Sequence, residues 1–191
     1  MSIELVLGGA RSGKSRYAES VVNQALQQQV ELGSCPDSKK HYVATAEAFD
    51  DEMRQRIQHH QRSRDSLWQQ WQTPLELAQQ LKQFDAKDIV LIDCLTLWMN
   101  NQIFYAGESC NDELLECKVQ QLVEALLECK AHVVLVSNEV GLGVVPLGKV
   151  SRLFVDNAGR MNQRLASIAD KVVFVAAGLP MTLKHDVKAG S

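Results

Sequence analysis

No apolar run in this 191-residue sequence approaches the ~18 residues that a membrane-crossing helix needs, so no membrane span is expected. Positive charge is not in excess either. Lys and Arg number 20 against 23 Asp and Glu, giving a formal charge of -3 and a pI near 6.0. Sequence-independent nucleic-acid binding rests on a basic surface, so no nucleic-acid partner is expected. The five cysteines, Cys35, Cys94, Cys110, Cys117 and Cys129, include no pair at C-x-x-C spacing, which removes local support for a zinc or redox motif. An odd number of thiols with no signal peptide fits a reducing compartment. The first residues run directly into a glycine-rich motif, and cleavage of a leader would destroy that motif. The expectation is a cytoplasmic protein. There is no internal repeat and no interdomain linker, so a single domain over residues 1–191 is expected.

Short β-rich apolar runs alternate with longer polar or amphipathic stretches. The runs are Ile3–Leu7, Tyr42–Ala44, Ile89–Ile92, Val133–Val136 and Val172–Val175. Near-continuous apolar strands are those covered on both faces, as in a parallel sheet. Helical composition falls over Lys14–Gln29, Asp51–Arg64, Leu75–Phe84, Asp112–Cys129 and Val150–Ala169. Strand–helix alternation of this kind predicts an α/β fold with a mostly parallel sheet flanked by helices. Residues 33–40 read as a surface loop, and the Gln-rich stretches 27–29 and 69–72 as solvated faces.

The segment Gly8-Gly9-Ala10-Arg11-Ser12-Gly13-Lys14-Ser15 matches G-x-x-x-x-G-K-[ST] between an apolar strand and a helix. Glycines let successive backbone N–H groups face phosphate oxygens, and the following helix presents its positive end to the same anion. Lys14 is expected on the β/γ-phosphates and Ser15 on Mg²⁺. Such a site needs an acidic residue at another strand end. Asp93, closing Ile89-Val90-Leu91-Ile92-Asp93, is the leading candidate, and Glu139 is the second.

In the segment 51–64, acidic residues open a helical stretch and arginines close it, complementing a helix dipole. Met53 and Ile57 mark its inward side, and Arg56, His60 and Arg64, spaced for one face, form a stripe beside it. Guanidiniums can hold phosphate oxygens bidentately, while a neutral imidazole can attack the α-phosphorus of a nucleotide. A surface helix with locally bonded histidines has the same pattern.

Taken together, the motifs resemble the bifunctional adenosylcobinamide kinase/adenosylcobinamide-phosphate guanylyltransferase family. The resemblance is carried by the loop from Gly8 to Arg16, by Tyr42-Val43-Ala44-Thr45-Ala46, and by Asp51-Glu52-Met53 with Arg56-Ile57 and His60. It continues through Asp93-Cys94-Leu95-Thr96-Leu97-Trp98, Ser137-Asn138-Glu139-Val140-Gly141 with Gly143 and Pro146, and Asn157 to Ala166. It implies a RecA-like P-loop fold and a homotrimer. It implies phosphorylation of adenosylcobinamide with ATP or GTP, then GMP transfer from GTP to give adenosylcobinamide-GDP, with His60 carrying the GMP. His59, one residue away, competes for that role. Ala44, Thr45, Ala46 and the run His60, Gln61, Arg62, Ser63, Arg64 are implied at the nucleotide, and Arg56 at its phosphates. Asp93 matches an acidic position on the guanosine ribose, which stands beside its reading as a metal ligand. One departure is clear: the family's acidic residue soon after a Trp-x-Thr motif is missing, since Trp71-Gln72-Thr73 is followed by Pro74-Leu75 and the nearest acid is Glu76. Trp98, Phe104 and Tyr105 could touch a corrinoid, but aromatic side chains of this size are expected in the core.

Overall fold

The computed structural model describes residues 2–31, 38–47 and 67–185. The histidine-bearing segment, with Arg56, His59, His60, Gln61, Arg62, Ser63 and Arg64, lies outside the described residues, as does Cys35. The strands are β1 (Ser2–Gly8), β2 (Lys39–Ala44), β3 (Trp68–Gln72), β4 (Asp88–Asp93), β5 (His132–Asn138), β6 (Lys171–Ala176) and β7 (Leu179–His185). The α-helices of the described residues are α1 (Lys14–Glu31), α2 (Leu77–Leu81), α3 (Leu95–Ala106), α4 (Asp112–Glu128) and α5 (Lys149–Ile168).

The strands form one 7-stranded sheet in the order β3-β2-β4-β5-β1-β6-β7. Every neighbouring pair is parallel except β6–β7, which is antiparallel. Alternation along each strand divides its side chains between two layers. Ile3, Leu5 and Leu7 of β1 join Val133 and Leu135 of β5 beneath α2, α3, α4 and α5. Val6, Val134 and Val136 face the other way, against Ala18 and Val22 of α1. Leu5, Leu91, Leu122 and Leu135 are fully buried, and each buried side chain of this size contributes about 2 kcal/mol. The apolar runs are buried on both faces, so the mostly parallel α/β expectation holds.

Several features differ from the sequence expectations. Lys39 and Lys40, assigned to a loop, open β2. The Gln-rich stretch 69–72 is solvated as expected, with Gln69, Gln70 and Gln72 exposed, but it also forms edge strand β3, which was not expected and whose Trp68 is buried. The helix expected over Leu75–Phe84 shortens to Leu77–Leu81. Finally, α3 and β7 were not anticipated at all. Trp98 is in the core as expected, donating its indole N–H to the Leu75 carbonyl at 2.7 Å. Phe104 and Tyr105 instead stand exposed at the end of α3, in edge contact with each other.

Candidate active site

β1 delivers the phosphate loop at its C-terminal end, and the loop's conformation follows from its residue types. Arg11 (φ 55°) and Gly13 (φ 94°) both occupy the left-handed region, which is natural for the glycine and uncommon for the arginine. Gly8 is required for space: a Cβ there would lie 2.5 Å from both Ser12 Oγ and the Val175 carbonyl oxygen. The loop closes on itself through Ser12 N–H to the Gly9 carbonyl at 3.3 Å. It is tied to the β6–β7 turn by Gly178 N–H donating to the Ser12 carbonyl at 2.8 Å. Lys14, the first residue of α1, is largely buried and folds back so that Nζ donates to the Gly9 carbonyl at 3.0 Å. Its ammonium therefore lies over the loop, beside the N–H groups of the helix start. Ala10 and Arg11 are exposed at the rim, and Gly9, Ser12, Gly13 and Ser15 are half-buried.

Asp93 ends β4, one strand removed from β1 across β5. It shares the alternation of Ile89 and Leu91, which pack on the α1 side, so its carboxylate is on the phosphate-loop face. Tyr42 donates its hydroxyl to Asp93 Oδ2 at 3.2 Å. The neighbouring Cys94 thiol is pushed up to about 11, first by burial and then by the Asp93 charge, while Lys14 pulls in the opposite direction. One thiol thus feels both the loop lysine and the strand-end acid. The Asp93–Cys94 peptide is cis.

Ala44 and Ala46 are half-buried beside this strand end, and Thr45 between them is fully buried. The Thr45 hydroxyl accepts from Cys94 N–H at 2.9 Å and donates to the Cys94 carbonyl at 2.7 Å, and its own carbonyl takes Asn101 Nδ2 at 2.8 Å. The Thr45 side chain therefore builds the wall of the site. Glu139 follows β5 and donates its backbone N–H to the Gly8 carbonyl at 3.1 Å, while its Oε1 accepts from Gly141 N–H at 3.0 Å. Glu76, the acid nearest the Trp-x-Thr motif, is 3.9 Å from Lys118 on α4.

Two contributors were quoted in the sequence motifs without a role. Tyr42 orients Asp93, and Thr96 Oγ1 accepts the Asn138 backbone N–H at 2.7 Å to fix the end of β5. Neither bond has a signal in sequence, because each joins residues more than forty positions apart.

The oxygen donors here suit a hard divalent cation. Ser15 offers a hydroxyl at the helix start and Asp93 a carboxylate whose Oδ1 is not used by Tyr42. No group of three or more His, Cys, Asp or Glu able to hold a metal occurs among the described residues.

A strand feeding a glycine-rich loop, a lysine folded over that loop and an acid one strand away place the chain among P-loop nucleotide-binding proteins. Within that class it belongs to the cobinamide kinase / cobinamide phosphate guanyltransferase family, whose family model matches residues 4–183. It is 43% identical over 185 residues to the bifunctional adenosylcobalamin biosynthesis protein CobP of Pseudomonas aeruginosa, covering 96% of this chain and 98% of the relative. It is 38% identical to the CobU protein of that description in Escherichia coli and 37% identical to the one in Salmonella typhimurium, each covering 94% of this chain and 98% of the relative.

Proposed function

We propose that the protein phosphorylates adenosylcobinamide with ATP or GTP and then transfers GMP from GTP to the adenosylcobinamide phosphate, giving adenosylcobinamide-GDP and pyrophosphate. The observation that carries this reading is the complete phosphate loop with Lys14 folded over it and Asp93 one strand away, in a chain of this family. Loop N–H groups and Lys14 receive the triphosphate, and Ser15 and Asp93 offer the oxygen atoms that Mg²⁺ needs. When bound, Mg²⁺ offsets phosphate charge. Ala44, Thr45 and Ala46 lie at the same strand ends and line the nucleotide, with the Thr45 hydroxyl holding the Cys94 backbone in place.

In the transfer step an imidazole nitrogen of His60 attacks the α-phosphorus, forming a P–N bond as the P–O bond to pyrophosphate breaks. An oxygen of adenosylcobinamide phosphate then attacks the same phosphorus and releases the imidazole. Arg56 and Arg64 offset negative charge as it develops, and Gln61, Arg62 and Ser63 complete the nucleotide contacts. The His60 assignment rests on the R-I-x-x-H-x-x-x-R pattern of residues 56–64.

Assembly as a homotrimer is part of this reading. It is supported by the exposed apolar side chains Leu142, Val144, Val145 and Leu147 between β5 and α5, since contiguous exposed apolar surface marks contact sites. Among the described residues no helix is long and apolar enough to cross a membrane.

The test is incubation of the protein with Mg²⁺ and α-labelled GTP, followed by peptide mapping. An acid-labile GMP adduct on His60 is expected. His60→Ala should abolish GMP transfer and retain phosphorylation of adenosylcobinamide, whereas Lys14→Ala should lower both by about 100-fold or more. GMP transfer that survives in the His60→Ala protein would eliminate the covalent route.

A further inference from the structure

We propose that Asn138 holds the hydroxyl of the acceptor substrate, and the γ-phosphoryl group it attacks, in the phosphorylation step; this rests on the kinase reading above. Asn138 ends β5, and the strand register sets it directly beside Gly8, the first residue of the phosphate loop. It shares the alternation of Val134 and Val136, which pack on the α1 side, so its amide is on the face that carries Lys14 and Asp93.

Its backbone is fixed on both sides. The N–H donates to Thr96 Oγ1 at 2.7 Å, and the carbonyl accepts from Asn162 Nδ2 at 3.3 Å. The side chain is treated differently: Oδ1 is buried and has no hydrogen-bond partner among the described residues. Ser12 Oγ, which closes over Gly8 from the loop side, is buried and unpartnered as well. Buried polar atoms are nearly always satisfied, and a native exception calls for an explanation, of which a catalytic role is one. A rigid strand end bearing an unsatisfied amide beside a phosphate loop is placed for such a role.

Chemistry selects the partner. Oδ1 can only accept, so a phosphate oxygen cannot satisfy it, whereas a hydroxyl can. The Nδ2 of the same amide can only donate, which suits a γ-phosphoryl oxygen. One planar amide can thus bridge nucleophile and electrophile and hold them in line, the principal demand of phosphoryl transfer. The acceptor oxygen forms its bond to the γ-phosphorus as the bond to the β,γ-bridging oxygen breaks. The nucleoside diphosphate leaves with the electron pair, and the hydroxyl proton passes to water. Asn138 takes no proton. GMP transfer has a phosphate as its acceptor, with no hydroxyl to hold, and so does not call on the Oδ1 contact.

Two substitutions test the assignment in the full chain: Asn138→Ala, and Asn138→Leu, which keeps the branched shape without polar atoms. Phosphorylation of adenosylcobinamide, GMP transfer to supplied adenosylcobinamide phosphate, and GTP affinity by calorimetry are measured for each beside the wild type. The kinase kcat is expected to fall by about 100-fold or more, while GMP transfer and GTP affinity, which lose only the γ-phosphoryl contact, fall by about tenfold or less. Full kinase turnover in either variant would overturn the proposal. So would a parallel loss of both activities and of GTP affinity, which marks a structural role. If the wild type itself does not phosphorylate adenosylcobinamide, the kinase reading fails, and this assignment fails with it.

Discussion

Thr45 and Cys94 are joined by both backbone polar groups of the cysteine: the one hydroxyl accepts the Cys94 N–H at 2.9 Å and donates to the Cys94 carbonyl at 2.7 Å. Cys94 follows Asp93, so this hydroxyl sets the backbone on which the strand-end carboxylate stands. Thr45→Val keeps the shape, leaves the buried Cys94 N–H unsatisfied and takes one of two donors from the Cys94 carbonyl, which still accepts the Trp98 N–H at 3.1 Å. Stability is expected to fall by about 2–3 kcal/mol, read from the urea midpoint, with a loss of nucleotide affinity as Asp93 shifts. An unchanged midpoint would show that the hydroxyl does not clamp this peptide.

Gly8→Ala places a methyl group 2.5 Å from the Val175 carbonyl and from Ser12 Oγ. The carbonyl belongs to the neighbouring strand and cannot swing aside. The loop must therefore move, and GTP binding is expected to weaken by at least tenfold, about 1.4 kcal/mol, in a calorimetric titration. Gly9→Ala is the control, since a Cβ there meets nothing within 4 Å. Equal effects of the two substitutions would discredit the steric account.

His132 connects acid to stability. Burial holds its imidazole below the ordinary value of 6.5, although the charge of Glu4 pulls the other way. Between that value and the lower folded one, the unfolded chain takes up a proton that the folded chain refuses. Stability therefore falls as pH drops below about 6.5 and is fully present above it. His132→Gln should flatten this acid limb in urea midpoints taken at about pH 7.5 and about pH 5.5. A mutant as acid-sensitive as the wild type would assign the effect to other groups.

Thiol reactivity should follow burial and thiolate character. Cys117 is exposed on α4, whereas Cys94 and Cys129 are buried with their thiols pushed up, in each case first by burial. Brief iodoacetamide treatment of the native protein near neutral pH should label Cys117 and spare Cys94 and Cys129. Rapid labelling of Cys94 without denaturant would contradict the packing around Asp93.

The parallel core was legible because strands buried on both faces are apolar throughout, as at Ile89–Ile92. The phosphate loop was legible because its chemistry is local and contiguous. Edge strand β3 was not, since Gln69, Gln70 and Gln72 are exposed and make it look like a solvated surface. Helix α3 escaped for the opposite reason. Its buried set includes polar Asn101 and Gln102, which only tertiary partners satisfy, at the carbonyls of Thr45, Pro74 and Leu75. Asn138 was visible as part of a motif, but its unpartnered amide beside Gly8 depends on a pairing across the sheet.

That pairing also governs when the site can come into being. β1 is the first strand in chain order, yet it lies between β5 and β6 and pairs along its length with residues 132–138 and 171–175. During synthesis the phosphate-loop sequence leaves the ribosome early, and β1 finds no neighbouring strand until residues 132–138 have followed. Nascent chains that halt before residue 132 should carry the loop sequence without the ability to hold a nucleotide. GTP capture is therefore a late checkpoint of biogenesis, passed only by chains that have completed the middle of the sheet.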